Sequence, residues 1–166
     1  MSLNTLVIEQ APAEVKLAFE VHQHSSLQSI RLVRAKLASN ANPVESEASV
    51  AVGFDFRSKL VEARPGLLRI AVSFRMAGAA EGVAPPAVAV EALFEADYQL
   101  HEGYAPAEAA ARAFKDGNAI FNVWPYFREF LQSSLQRMGL PPLTAPFLRL
   151  QPKAPKIVRK DLSSPR

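Results

Sequence analysis

Apolar and polar residues alternate along four stretches of the chain, at residues 27–37, 48–61, 68–76 and 88–100. In the last three, the even-numbered positions are mostly apolar and the odd-numbered positions carry the charges, the period of a half-buried antiparallel strand. In 27–37, apolar side chains fall on both parities, which predicts a strand with both faces partly covered. A turn at 64–66, with the sequence Arg-Pro-Gly, joins two stretches as a hairpin. The pattern predicts four antiparallel strands in succession.

A helical period replaces this alternation between residues 118 and 138. Apolar residues recur there at spacings of three and four, at Ile120, Phe121, Trp124, Phe127, Leu131, Leu135 and Met138. Asn118 can cap the start of this helix, and Pro125 predicts either a kink or a helix that begins near Trp124. Gly139 and the prolines at 141–142 end it.

Two shorter segments also favour helix. Residues 105–114 are alanine-rich and proline-led, and Asp116-Gly117 predicts a break before the long helix. Residues 13–20 fit a short helix after Pro12 or an irregular edge strand, with the helix favoured. The fold class predicted is α+β: a four-stranded antiparallel sheet covered on one face by a long C-terminal helix.

The length of the chain predicts a single domain, residues 1–150. The charge and the prolines distinguish a basic tail, residues 151–166. The chain has 166 residues and a formal charge of +3; the tail alone carries +4, so the body sums to −1. Composition therefore implies no basic patch on the body, and the tail lacks the interleaved aromatic residues that stack on bases. We predict a mobile tail, with neither nucleic acid nor a membrane as partner.

Cysteine is absent from the sequence, which excludes disulfides and thiolate metal ligands. The first ten residues lack the basic and apolar regions of a signal peptide, and no apolar run is long enough to cross a bilayer. We therefore predict a cytoplasmic protein.

Catalytic and metal-binding chemistry has little support in the sequence. The two candidate sets are the histidines His22, His24 and His101, and the acidic residues Glu91, Glu95 and Asp97. The histidines have no acidic neighbour at ligand spacing, and the acidic residues show the alternation of any solvated strand face. No phosphate loop, nucleophile elbow or dinucleotide motif occurs. We expect no cofactor, no metal and no enzymatic activity.

Apolar side chains exceed what one sheet and one helix obviously bury. The chain has ten phenylalanines, and residues 140–148, Leu-Pro-Pro-Leu-Thr-Ala-Pro-Phe-Leu, follow the long helix. Two interpretations are open: an oligomer interface, or a groove for apolar peptides.

The helix and its exit resemble the SecB family of protein-export chaperones and its SecB-like relatives. The family has a Pro-Tyr-x-Arg-Glu segment in its long helix and an Arg-Gly-x-(Phe/Leu)-Pro-x-Leu run at its end, before an Ala-Pro loop. The matching residues are Pro125, Tyr126, Arg128, Glu129, Arg137, Gly139, Pro141, Leu143, Ala145 and Pro146. The resemblance covers about thirty residues, beside an agreement in the number and order of strands.

The resemblance implies an ATP-independent chaperone that binds unfolded or newly made polypeptides and assembles as a homotetramer, a dimer of dimers. Sheets would join edge to edge, with the long helices between the dimers. The helix residues implied to contact the sheet and partner helices are Phe121, Trp124, Phe127, Leu131 and Leu135. The residues implied to bind peptide are Phe74, Met76, Leu140, Leu143, Phe147 and Leu148.

Two departures from the family pattern keep the biological role open. Prolines at 152 and 155 replace the lid helix that export chaperones carry after the Ala-Pro loop. Export members are acidic and dock on the translocase motor SecA, whereas this body is near neutral. An export chaperone and a solitary chaperone that guards an antitoxin therefore both fit, and a structural or regulatory oligomer is a third alternative.

Overall fold

A computed structural model describes residues 5–40, 51–79 and 86–154. Within these ranges the elements follow one another as six strands and three α-helices, with one π-helical turn. They are β1 (Leu6–Gln10), α1 (Pro12–Gln23), β2 (Ser25–Ser39), β3 (Ala51–Arg64), β4 (Leu67–Ala79), β5 (Val88–Leu100), α2 (Glu108–Phe114), the π-helical turn Lys115–Ala119, α3 (Ile120–Arg137) and β6 (Leu148–Pro152).

The four long strands form one antiparallel sheet in the order β2-β5-β4-β3. β3 and β4 make the predicted hairpin, whose tight turn is closed by Gly66 at φ 80°. β2 pairs with β5 instead of its neighbour in sequence, β3. The predicted α+β fold, with one sheet face covered by the C-terminal helix, is confirmed.

β2 differs from its sequence-based interpretation because it contains two register shifts. They fall between Leu27 and Ser29 and between Leu32 and Arg34, so Gln28 and Val33 are extra residues in the ladder. Each shift changes the parity of the positions after it. Apolar residues that alternate irregularly in sequence thus share one face, and most side chains of β2 are exposed. The prediction that both faces are partly covered is wrong.

α2, the π-helical turn and α3 follow one another without a loop from Glu108 to Arg137. The predicted break at Asp116-Gly117 is therefore wrong: both residues lie in the π-helical turn, which keeps the chain helical while adding an extra residue. Asn118 lies in the same turn and does not cap a helix start. Pro125 is inside α3, which already begins at Ile120.

Aromatic side chains fix α3 on the sheet. Trp124 meets Phe54 of β3 edge-on, and Phe127 stacks on Phe74 of β4 with ring centroids 4.9 Å apart. One turn later, Phe130 contacts Phe94 of β5 at 6.3 Å. Successive turns therefore cross β3, β4 and β5 in order, and burial of these rings helps to stabilise the helix layer on the sheet.

A second, two-stranded sheet ties the ends of the described fold together. β1 pairs in parallel with β6, and α1, which follows β1, contacts α2. The helix favoured for residues 13–20 is confirmed. β6 occupies 148–152, so this segment is a strand and not the start of a lid helix. The boundary between domain and tail at residue 150 stays a prediction, although Gln151 and Pro152 belong to β6. Most of the predicted tail, residues 155–166, lies outside the described ranges.

None of the helices in the described part of the chain is long and apolar enough to cross a membrane.

Candidate functional site

The segment that follows α3, residues 138–147, is fixed along that helix; we call it the exit segment. Gly139, at φ 71°, ends the helix and reverses the chain direction. The Trp124 indole Nε1 donates a hydrogen bond of 3.0 Å to the carbonyl of Pro146, and Arg128 Nε donates one of 3.1 Å to the carbonyl of Ala145. The backbone of the exit segment is thus held in place by two side chains of α3.

Phe147 is the most exposed of the large apolar side chains in the described residues, with 69% of its surface accessible. The Arg128 guanidinium carbon lies 4.9 Å from the centre of its ring. The Phe147 carbonyl accepts a hydrogen bond of 2.9 Å from the Leu6 amide, next to the start of the β1–β6 pair. A fixed backbone therefore presents an apolar ring to solvent beside a positive charge.

Of the six residues predicted to bind peptide, three are accessible in this structure. Phe147 is exposed, and Leu140 and Leu143 are half-buried against the core. Phe74, Met76 and Leu148 retain only 2%, 1% and 6% of their surface. Phe74 lies under Trp124 and Phe127 of α3, and Met76 belongs to the same buried core, so a peptide could contact them only after the covering layer moved.

The helix residues predicted to contact the sheet and partner helices also divide into two groups. Trp124, Phe127, Leu131 and Leu135 are buried in the core of the chain itself. Phe121, in contrast, is 44% exposed and is available for contacts outside the chain.

A second apolar surface, not found by sequence reasoning, runs along β2 on the side that faces the helices. It consists of Leu27, Ile30, Leu32 and Leu37, and we call it the β2 stripe. Leu27, Leu32 and Leu37 are 42–45% exposed because α3 crosses the other three strands. Leu32 pairs with Phe94, the residue that contacts Phe130. The sequence indication of this surface is that the apolar residues of 27–37 change from odd to even positions and back. The two bulges cause this change, because each one shifts the alternation by one residue.

The opposite side of the sheet, which we call the open face, carries the charged side chains. Arg69 forms two hydrogen bonds with Asp97, of 2.6 and 2.9 Å. This contact, the largest cause, lowers the pKa of Asp97 and raises that of Arg69. Glu95 pairs with Arg31, and Glu91 lies 3.6 Å from Arg75. Each of the three acidic residues considered as catalytic candidates is therefore paired with an arginine on a neighbouring strand.

The histidines are not gathered into a metal site within the described residues, where no group of three or more metal-ligating side chains occurs. His24 stacks on Tyr104 with ring centroids 4.5 Å apart, and its Nδ1 lies 3.0 Å from the Glu20 carbonyl. The Tyr104 hydroxyl donates to the Glu20 carboxylate. Burial first, and then Glu20, raise the pKa of Tyr104 to about 12. His24 thus has a packing role where α1 meets β2.

Comparisons with known proteins bear on the fold. No protein-family profile and no curated protein sequence matches this chain. Among solved structures, the chain is similar to a SecB-like chaperone of Mycobacterium tuberculosis in complex with a ChAD peptide from the HigA1 antitoxin, with a TM-score of 0.72 and 21% identity over 82% of this chain and 99% of that one. It also matches a Streptococcus agalactiae protein of unknown function, with a TM-score of 0.46 and 7% identity over 74% and 97% of the two chains. The first similarity shows a SecB-like fold.

Proposed function

Starting from this SecB-like fold, we propose that the chain is an ATP-independent molecular chaperone that binds apolar segments of unfolded or newly synthesised polypeptides. Binding would be the reversible burial of apolar side chains, with neither a cofactor nor a chemical step. The observation that carries the proposal is Phe147, which is 69% exposed on a backbone fixed by Trp124 and Arg128.

Leu140, Leu143 and Phe147 form the first contact surface in this proposal. An exposed apolar patch on a fixed backbone favours binding, because the backbone that carries the patch loses little conformational entropy when a client docks. Phe74, Met76 and Leu148 stay in the proposed site as a deeper part, which a client would reach only when the layer that covers them is displaced; over Phe74 that layer is α3. That displacement would break the stacking of Phe127 on Phe74.

We further propose that the working form is a cytoplasmic homotetramer, built as a dimer of dimers. The exposed Phe121 on α3 and the β2 stripe support this part, because both are apolar surfaces that one chain leaves uncovered. In its broader form, the proposal is that the chaperone delivers its clients to protein export, with the translocase motor SecA as its partner.

An alternative is a chaperone with one dedicated client, such as an antitoxin, or a regulatory oligomer that is independent of SecA. The solved complex of the mycobacterial SecB-like chaperone with an antitoxin peptide favours this alternative. A general chaperone should suppress the aggregation of unrelated unfolded proteins. A dedicated or regulatory oligomer should fail to do so even in molar excess.

The test is light scattering of an unfolded client protein with the native chain and with the double variant Leu143→Ala/Phe147→Ala. Since each truncation removes part of roughly 1.5–3 kcal/mol of apolar burial, the variant should need at least about fivefold more protein for half-maximal suppression. Native mass and melting temperature are measured in parallel, because a change in assembly would otherwise imitate a loss of binding.

Val61→Ala is the matched control, because Val61 is 46% exposed on β3, outside the exit segment. It should leave suppression unchanged. If the double variant suppresses aggregation fully at unchanged mass, the exit segment is not part of the client site. If the native chain does not suppress aggregation, the proposal of a general chaperone is wrong.

A further inference from the structure

A depression of about 420 Å³ lies on the open face of the sheet and crosses all four strands. Four basic residues line it, Arg34, Lys36, Arg57 and Arg75, against two acidic ones, Asp55 and Glu91. The body of the chain, residues 1–150, has a formal charge of −1. Folding has therefore concentrated positive charge in this depression.

The strand register shows where the excess positive charge lies within the depression. One row across the sheet, Lys36-Glu91-Arg75-Asp55, alternates in sign, so its charges offset one another. The adjacent row, Arg34-Leu93-Ser73-Arg57, has an arginine at each end and no carboxylate. Neither of these two arginines forms an ion pair with any residue in the described ranges.

Strand spacing sets the distance between the two arginines. Neighbouring strands lie about 4.8 Å apart, so three intervals separate the Cα atoms of Arg34 and Arg57 by roughly 14 Å. An extended polypeptide advances about 3.3 Å per residue, which places carboxylates four residues apart at roughly 13 Å. We propose that this row binds an extended, acidic polypeptide segment, with one carboxylate on Arg34 and the next on Arg57.

The floor between the arginines favours a polypeptide over a nucleic acid. It is formed by Leu93 and Ser73, both half-buried. Leu93 offers an aliphatic surface, and the Ser73 hydroxyl, which donates to the Arg57 carbonyl at 3.5 Å, can still accept a hydrogen bond. The two phenylalanines that border the depression, Phe56 and Phe74, face the helices and are not available for stacking on bases. Single-stranded nucleic acid usually requires such stacking platforms.

The site is separate from the proposed client surface. The helices and the exit segment lie on the other side of the sheet, so an acidic segment could bind while an apolar client is held. An assembly formed through α3 and the β2 stripe would also leave the open face accessible. The two proposals can therefore fail independently.

The test is fluorescence anisotropy of a labelled synthetic peptide, with glutamates four residues apart among serines and glycines, titrated with the full-length protein. Because exposed ion pairs contribute about 0.2–1 kcal/mol each, the loss of two pairs in Arg34→Ala/Arg57→Ala should weaken binding about twofold to thirtyfold. Binding should also weaken as added salt shortens the screening length. The control is Lys16→Ala/Arg149→Ala, which removes two exposed positive charges from α1 and β6 and should bind like the native chain.

Three outcomes would overturn the proposal. They are equal binding of a peptide with glutamine in place of glutamate, equal loss in the control variant, and tighter Arg34- and Arg57-dependent binding of a labelled oligothymidylate than of the acidic peptide. Client aggregation measured with Arg34→Ala/Arg57→Ala should match the native chain. A loss there, with an unchanged melting temperature, would show that the open face belongs to the client site.

Discussion

At the scale of single residues, Gln10 and Gly117 explain how the N-terminal strand is fixed to the helices. Gln10 is 7% exposed, and its Nε2 donates a hydrogen bond of 2.7 Å to the Ala113 carbonyl just before the π-helical turn. A Cβ atom built on Gly117 would lie 2.5 Å from Gln10 Oε1. Gly117 is therefore needed for the space that Gln10 occupies and not for a helix break.

Gly117→Ala should destabilise the chain by about 1–3 kcal/mol, because the added methyl group displaces a buried, hydrogen-bonded side chain. In a Gln10→Ala background the clash is gone, and the same substitution should gain up to about 1 kcal/mol of helix propensity. The measurement is a double-mutant cycle by urea unfolding. Additive effects of the two substitutions would contradict the proposed contact.

Several residue-level predictions depended on rules that act within a few positions. Gly139 ends α3 with positive φ, and Pro12 begins α1, as the sequence indicated. Gln10 is different: its partner, Ala113, lies 103 residues away. A contact between residues so far apart leaves no local pattern in the sequence. The Asp116-Gly117 pair was therefore interpreted by its usual local meaning, a helix break.

At the scale of elements, the exit segment depends on α3 for its position. Arg128 contributes both a hydrogen bond to the Ala145 carbonyl and the contact with the Phe147 ring. Its side chain thus couples the polar side of the helix to the apolar surface proposed for clients. The sequence identified the segment as apolar, but not its attachment.

Arg128→Ala should therefore loosen the exit segment with little effect on the core. Losing the cation–π contact costs about 0.5–1 kcal/mol and losing the hydrogen bond a similar amount, which would speed exchange of the Leu6 amide that bonds to Phe147. Hydrogen exchange by NMR measures this. Arg112→Ala, on the preceding helix, is the control, since among the described residues Arg112 pairs with Glu108 of the same helix. Unchanged Leu6 exchange in Arg128→Ala would refute the attachment.

The elements themselves were largely predictable, since periods of two and of three to four residues follow from strand and helix geometry. The five-residue strands β1 and β6 were missed, because their pairing joins residues about 140 positions apart and leaves no long alternation. β2 was recognised as a strand but assigned the wrong faces, because a bulge moves each later residue to the other side.

At the scale of the whole molecule, the β2 stripe is an apolar surface that the described part of one chain leaves without cover. An edge strand can pair with a strand of another chain, and a second copy could remove the exposed leucines of β2 from water. In the proposed tetramer the stripe would lie between chains. The native mass should then be four times that of the 18.1 kDa chain.

Leu32→Lys/Leu37→Lys should lower that mass, because burial of two charges at an interface is costly without partners. Native mass spectrometry gives the answer directly. Val7→Lys/Val61→Lys replaces two similarly exposed apolar residues outside the stripe and should preserve the assembly. A native chain that is a monomer, or a stripe variant with unchanged mass, would contradict the proposed interface.

Sequence by itself determined the strands and helices of the SecB-like sheet layer and the apolar character of the exit segment, because these depend on spacing between near neighbours. Tertiary structure alone decided which apolar residues stay exposed. Phe74 and Met76 share the alternation of any core strand; the packing of the helix layer on this face of the sheet buries them, with Phe74 against Trp124 and Phe127 of α3. It also decided the charge of the open face: composition gives the body −1, but strand register places Arg34 and Arg57 in one row without a carboxylate.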